Sequence, residues 1–420
     1  GGSVTAPPSK SYTHRAILIS LMAEGRSRIS NPLYSGDTWA SIYACRALGG
    51  EVDVEKRRLT VEGSFPLRSP ETVIDVENSG TTMRLVTALS AHVEEGYTVL
   101  TGDESIRRRP MQPLIEALNQ LGANCWSTRL NGLPPIVVRG GGLRGGEVEI
   151  RGDVSSQFIS ALLVASPPSK RQTTIKVSGD LVSKPYVEMT LETLREASVR
   201  VEGEHHQKFV VPAPQRVEPL DFKVPGDLGL SAFMFALAAV TGSTVEVHGF
   251  DFSRAQSDVE VLALLREMGC EVEVDEVGGS VKIKGDRLRG SEFNLVDSPD
   301  LLPVAAVLGA KAEGRTIIRG VRHARFKESD RISRLASELP KLGVKASELE
   351  DGIVVEGGEK MRGCKLQSYG DHRLFMAFCV AAAGASEPCE VEGVESAFIS
   401  YPDFVKDVEK LGIKVEEVKD

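Results

Sequence analysis

The chain of 420 residues is 41% hydrophobic and 26% charged, with a formal charge of −9, the composition of an ordinary globular protein large enough for two or three cores. Its acidic balance and the lack of any basic run exclude a general nucleic-acid surface, which needs a basic face to meet phosphates. The apolar runs Ala232–Val240, Leu301–Ala310 and Phe375–Ala383 fall short of the roughly 18 residues that a bilayer span requires, so no membrane partner is expected.

At the amino end, Gly1–Pro8 shows neither a basic region followed by an apolar one nor an Arg/Ser-rich transit sequence, and the chain reads as cytoplasmic. Six cysteines are scattered singly with no Cys-x-x-Cys, which points to neither a disulfide framework nor a zinc site. Most read as small buried apolar residues.

Further along, the sequence repeats itself. An apolar-x-x-[Leu/Met]-Gly pattern followed by an alternating strand recurs around Gly49, Gly122, Gly269, Gly343 and Gly412, with Glu196-Ala197-Ser198 in a degenerate third copy, a beat of about seventy residues. Each copy reads as an apolar helix, a short strand such as Gly242–His248 or Gly314–Arg319, a longer amphipathic helix, and a hairpin such as Cys270–Gly285. That is a βαβαββ unit repeated six times. Each first helix follows a short polar loop, and these loops contain Ser11, Gly80, Ser156, Gly229, Asp300 and Asp371. Ser, Asp, Asn and Gly are ordinary helix caps, but a helix amino end also attracts anions through its free N–H groups and partial positive charge. Several of the loops add a Lys, Arg or Gln, which favours the anion reading. Gly140-x-Gly142-x-x-Gly145 fits the dinucleotide pattern only formally, because the alternating run Glu147–Ile150 follows it where a helix should.

The motifs Pro8-Ser9-Lys10-Ser11-x-x-x-Arg15, Asn78-Ser79-Gly80-Thr81, Arg109-Pro110, Ser155-Ser156-Gln157, Ser183-Lys184-Pro185-Tyr186, Lys327-Glu328-Ser329-Asp330-Arg331 and Asp371-His372-Arg373, in this order and spacing, resemble the 5-enolpyruvylshikimate-3-phosphate synthase family from end to end. The resemblance implies an α/β fold of two domains, each of three βαβαββ units around a pseudo-threefold axis as an inside-out barrel, with the active site in the cleft between them. One domain would span residues 9–225 and the other residues 1–8 and 226–420, joined by crossovers near Ser9 and Pro225. The implied reaction moves the enolpyruvyl group of phosphoenolpyruvate to the 5-hydroxyl of shikimate 3-phosphate by addition and elimination.

The resemblance also implies residue roles. Shikimate 3-phosphate would be held by Lys10, Ser11, Arg15, Ser155, Ser156, Gln157, Ser183, Tyr186, Asp300 and Lys327. Phosphoenolpyruvate would be held by Lys10, Asn78, Gly80, Arg109, Gln157, Arg331, His372 and Arg373. Lys10 and Glu328 would move protons at the donor, and Asp300 with Lys327 would serve the acceptor hydroxyl. Arg107 and Arg108 read as surface charge, set with Arg109 at the start of a helix whose dipole they oppose. No metal or other cofactor is called for, and a monomer suffices because no partner chain is needed. The sister enolpyruvyl transferases that act on UDP-linked amino sugars usually carry a Cys in the loop before their Arg-Pro; Thr101–Pro110 has none. One departure from the family stands out. A Lys usually precedes the [Phe/Tyr]-Pro-Asp near the carboxyl end by two residues, and here Ile399 occupies that place before Tyr401-Pro402-Asp403. Either another cation such as Arg325 substitutes, or donor affinity is lower.

Overall fold

The apolar alternation and the all-round apolar segments sort into two kinds of element. In the computed structural model, which describes residues 1–358 and 360–418, the chain divides into two compact units. One is Pro8–Pro225; the other joins Gly1–Pro7 to the chain from Gly226 onward.

The Pro8–Pro225 unit contains helices α1 (Lys10–Leu21), α2 (Gly36–Ala47), α3 (Gly80–Leu89), α4 (Gln112–Gln120), α5 (Ser156–Ala165) and α6 (Lys184–Glu196). Its three sheets share one topology: a first strand parallel to the second, then two antiparallel partners. The orders are Asp221–Lys223, Arg26–Ser30, Arg58–Glu62, Glu51–Glu55; Ile74–Asp75, Tyr97–Thr101, Ile136–Arg139, Asn124–Ser127; and Gly146–Arg151, Thr173–Ser178, Lys208–Val211, Glu202–Glu204. Strands such as Arg58–Glu62 bury Leu59 and Val61 and turn their charged residues out, the period of two of a half-covered sheet. The first helices α1, α3 and α5 are buried almost throughout, as a helix apolar on all sides must be. Helices thus fill the inside and sheets form the outside.

The second unit repeats the plan with α7 (Leu228–Thr241), α8 (Glu260–Glu267), α9 (Leu302–Lys311), α10 (Arg331–Glu338), α11 (His372–Ala383) and α12 (Phe404–Lys410). The buried helices α7, α9 and α11 pack on one another. Two of its sheets have four strands: Gly2–Thr5, Thr244–His248, Ser280–Lys284, Glu271–Asp275, and Glu292–Asn294, Gly314–Arg319, Gly352–Gly357, Lys345–Leu349.

Two details depart from the sequence expectation. The second helices are mostly the shorter ones: α8 has 8 residues where α7 has 14, because only one face of α8 is apolar and nothing extends it. The sixth sheet has two strands among the described residues, Lys365–Leu366 and Glu390–Val391, so the last βαβαββ unit lacks its hairpin there. Two of the βαβαββ units are not contiguous in sequence, in keeping with two crossovers. Gly2–Thr5 precedes α1 but pairs with Thr244–His248, and Asp221–Lys223 precedes α7 but pairs with Arg26–Ser30. No helix is long and apolar enough to cross a membrane among the described residues.

Candidate active site

The loops before the first helices are caps, and the capping side chain often sits just before the residues expected to bind ligand. Ser9, Ser79, Ser155, Asp227 and Asp371 each accept a backbone N–H of the helix that follows, which orders the loop and leaves the neighbouring side chains to other work.

In the Pro8–Pro225 unit, Lys10 opens α1 and pairs with Asp37 of α2 at 2.8 Å. Arg15, one turn on, is 1% exposed. Its guanidinium donates to the Thr190 hydroxyl at 2.8 Å, the Ser11 carbonyl at 3.0 Å and the Tyr186 carbonyl at 3.1 Å. All three acceptors are neutral, and burial pulls its pKa down to about 10 against the smaller opposing influence of Tyr186 and Tyr12. Ser183 holds a left-handed backbone (φ 55°) at the start of α6, a strained conformation for a side-chain-bearing residue. Ser156 opens α5 and is buried.

A second cluster in this unit forms around Gly80, the first residue of α3. A Cβ there would lie 2.6 Å from Arg109 Nη1 and 2.9 Å from Arg84 Nη1, so only glycine leaves the two guanidinium groups their place. Arg84 donates to Gln157 Oε1 at 2.8 Å and to the Pro110 carbonyl at 3.1 Å, and Gln157 donates in turn to Thr81 at 3.1 Å. Arg109 donates to the Ser105 hydroxyl at 3.0 Å and the Asn78 carbonyl at 3.3 Å, while Asn78 donates to Asp103 at 2.7 Å. Buried polar links from His14 to Ser41 (2.7 Å), Ser41 to Thr82 (2.8 Å) and Thr82 to Ser79 (2.7 Å) tie α1 to the start of α3. The expected helix start at Arg107-Arg108-Arg109 is corrected: Ile106–Arg108 form a separate 3-10 turn and α4 begins at Gln112, because Pro110 breaks the run. Arg107 and Arg108 are exposed, whereas Arg109 is buried.

In the second unit the chemistry is different: cations and carboxylates interlock. Arg331, 1% exposed, donates to Asp371 at 2.9 Å, Asp300 at 2.8 Å and Glu328 at 2.7 Å. Burial opposes its charge, but the three carboxylates overcome that and raise its pKa. Asp300 does not cap α9 as its position led one to expect; it lies in the 3-10 turn Pro299–Leu301 and faces Arg331, Arg373 at 3.6 Å and Lys327 at 4.0 Å. Burial would push Asp300 up, yet Arg373, Lys327 and Arg331 hold it well below the usual carboxylate range. His372 is fully buried, bonded through Nδ1 to Ser400 and facing Glu328 Oε1 through Nε2 at 3.4 Å. Glu328, Asp371 and His372 converge closely enough to suit a cation, but the Arg331 guanidinium already bonds both carboxylates and supplies the positive charge.

Each expected site residue therefore falls in a polar cluster or at a helix start within its own unit. Arg325, the cation named as a substitute for the missing Lys, is bound to Asp330 at 3.0 Å, to Glu348, and to the carbonyls of Glu350 and Leu349 at 3.0 and 2.6 Å, so that it would have to exchange partners to meet the donor. From the sequence, Arg84 and Asp37 are given no role, and Asp371, although part of the last motif, is given none as a partner of Arg331. Arg84 was detectable as the residue one turn past Gly80 on α3; Asp37 carried no signal, because its partner Lys10 lies on another helix.

A profile of the EPSP synthase family (3-phosphoshikimate 1-carboxyvinyltransferase) matches residues 1–408. The chain is 49% identical over 414 residues to the 3-phosphoshikimate 1-carboxyvinyltransferase of Korarchaeum cryptofilum, covering 99% of this chain and 97% of that protein. It is 47% identical over 415 residues to that of Methanothermobacter thermautotrophicus, covering 99% and 96%. A solved EPSP synthase from Acinetobacter baumannii superposes with a TM-score of 0.83 at 28% identity, over 99% of this chain and 96% of that one. With the repeated sheets, the caps and both polar clusters in place, these likenesses put the chain in the EPSP synthase (3-phosphoshikimate 1-carboxyvinyltransferase) family.

Proposed function

We propose that the residues described above carry out the family's reaction in the following roles. The enzyme is a transferase that moves the enolpyruvyl group of phosphoenolpyruvate to the 5-hydroxyl of shikimate 3-phosphate and releases phosphate, a step of the shikimate pathway. Arg15 is the observation that carries the assignment of roles: a buried guanidinium among neutral acceptors is an unfavourable state that an incoming carboxylate corrects. It takes the acceptor carboxylate, beside Lys10, Ser11 and Tyr186. Ser155, Ser156, Gln157 and Ser183, at helix starts, take the acceptor phosphate. The Gly80 cluster, with Asn78, Arg109 and Gln157, takes the donor phosphate.

Asp300, held ionised by Arg373, Lys327 and Arg331, accepts the hydrogen bond of the acceptor hydroxyl and orients it for attack. Asp300 takes the hydroxyl proton as the new C–O bond forms; a carboxylate so acidic is a weak base, and Lys327, a cation, stabilises the negative charge that develops on the attacking oxygen. Glu328 and Lys10 serve proton transfer at the donor methylene. Arg331, Arg373 and His372 bind the donor; for Arg331 this requires exchange of one of its three carboxylate partners. The protein acts as a cytoplasmic monomer on these two small molecules, which sedimentation with and without ligand would check.

The test is phosphate release from phosphoenolpyruvate with shikimate 3-phosphate, against UDP-N-acetylglucosamine as the control acceptor. Release with shikimate 3-phosphate alone is expected. Release with the UDP-sugar alone would overturn the assignment.

A further inference from the structure

The cysteines read as isolated in sequence, and Cys45, Cys125 and Cys270 are buried. Cys364 and Cys389 are half-buried, and the fold brings them together. In the sixth sheet Lys365 pairs with Glu390 and Leu366 with Val391 in parallel register. The Glu390 N–H donates to the Cys364 carbonyl at 3.0 Å, which continues the ladder and sets Cys364 opposite Cys389. In-register neighbours on paired strands lie about 4.8 Å apart and project to the same face, within the Cα separation of about 4.4–6.8 Å that a disulfide accepts. Cys389 Sγ donates to the Glu387 carbonyl at 3.9 Å, and Cys389 lies near enough to Cys364 to help raise its pKa. Lys365 also bridges Glu390 at 2.9 Å and Glu392 at 2.6 Å, so the strands are held in this register before any covalent link. This sheet has two strands among the described residues where the other five have four, and a two-stranded ribbon is marginal by itself.

We propose that Cys364 and Cys389 are a redox-modification site, forming an intramolecular disulfide by exchange with a low-molecular-weight disulfide and stapling the sixth sheet on either side of α11. In the first step the Cys389 thiolate attacks one sulfur of the small disulfide, forming a mixed disulfide and releasing one small thiolate. In the second, Cys364 loses its proton to solvent and attacks the Cys389 sulfur; the S–S bond between the two cysteines forms and the second small thiolate leaves. The two protein thiols lose two electrons, and the small disulfide gains them to become two thiols. Burial, aided by Cys389, pushes the Cys364 thiol up to about 11, which leaves Cys364 little thiolate for a first attack and makes ring closure faster as pH rises. The bond closes a loop containing α11 and the segment Asp371-His372-Arg373 at its start, and so limits the freedom of the unfolded chain.

The experiment exposes the folded protein to oxidised glutathione, quenches with acid, and then counts thiols in denaturant, measures intact mass and maps disulfide-linked peptides. Two of the six thiols are expected to disappear with loss of two hydrogens, with Cys364 linked to Cys389, dithiothreitol reversing the change and the oxidised form melting several degrees higher. Cys364→Ser is expected to stop at a glutathione adduct on Cys389 and to gain no stability. Persistence of all six thiols, linkage of any other pair, or equal thiol loss in Cys364→Ser would overturn the proposal. So would a mixed disulfide in the unmodified sequence that never resolves, or a disulfide that leaves the melting temperature unchanged.

Discussion

Arg15 and Asp258 sit at opposite ends of the same electrostatic problem. Arg15 is a cation buried against neutral oxygens, a charge whose solvation the protein replaces only in part. Arg15→Met is expected to leave the melting temperature unchanged or raise it, while the KM for shikimate 3-phosphate rises on the order of 100-fold, the loss of one buried charge-assisted contact. Steady-state kinetics and calorimetry on one preparation check both. Asp258 is a carboxyl, 1% exposed, with neither oxygen hydrogen-bonded, facing Asp300, Arg373, Asp227 and Lys327. Burial first, then Asp300, raises its pKa from 3.8 to about 8. Between those values the folded protein keeps a proton that the unfolded chain releases, so this group makes stability fall as pH rises from about 4 to about 8 and adds nothing further above that. Asp258→Asn removes the titration. Its melting temperature is expected to exceed that of the parent by a margin that widens from pH 5 to pH 8; a constant margin would refute the assignment. Arg15 was legible because it sits at a fixed distance from Pro8-Ser9-Lys10 in one helix. Asp258 was not, because its burial against Gly229, where an added Cβ would lie 2.0 Å from its Oδ2, is made by a loop folding back on α7.

Among elements, the starts of the buried helices matter most. All but α9 carry a side-chain cap that fixes the first turn, and α3 sets its cap most tightly beside residues expected to meet a ligand. Gly80→Ala adds a methyl 2.6 Å from Arg109 Nη1, under any real contact distance, yet alanine is the better helix former. The variant is expected to keep its thermal stability and to raise the KM for phosphoenolpyruvate at least tenfold, with the KM for shikimate 3-phosphate changed much less. Equal effects on both substrates would mean that the cluster serves neither specifically. The caps were legible as short polar loops ahead of apolar runs. The contrast between the clusters was not: both units show Lys and Arg in their motifs, but only Arg331 is met by Asp300, Glu328 and Asp371 together, and those partners come from separate loops.

At the scale of the molecule, strand exchange sets what can fold alone. The fragment 8–225 keeps all three of its sheets whole, including Asp221–Lys223 beside Arg26–Ser30. A fragment beginning at residue 226 lacks Gly2–Thr5 and leaves the edge of Thr244–His248 unpaired, an invitation to aggregate. The first is expected to give a cooperative thermal transition and the second to do so only when residues 1–7 are restored by fusion; circular dichroism and light scattering decide. For the whole chain, a ligand at about 100 times its Kd adds about 2.7 kcal/mol to the folded state. Shikimate 3-phosphate is therefore expected to raise the melting temperature measurably and UDP-N-acetylglucosamine not at all.

The sequence by itself determined the repeat, the apolar helices, the hairpins and the family, because each is written in local periodicity or in motifs held within one loop and its helix. It also named most of the charged residues of the two clusters. Tertiary structure decided which strands complete the two interrupted units, that Arg325 is bound by Asp330 and Glu348, that Arg331 is already matched by carboxylates, and that Cys364 meets Cys389. These are pairings between residues distant in the chain, and their energies depend on burial and on the approach of particular atoms, quantities that no local pattern of residues encodes.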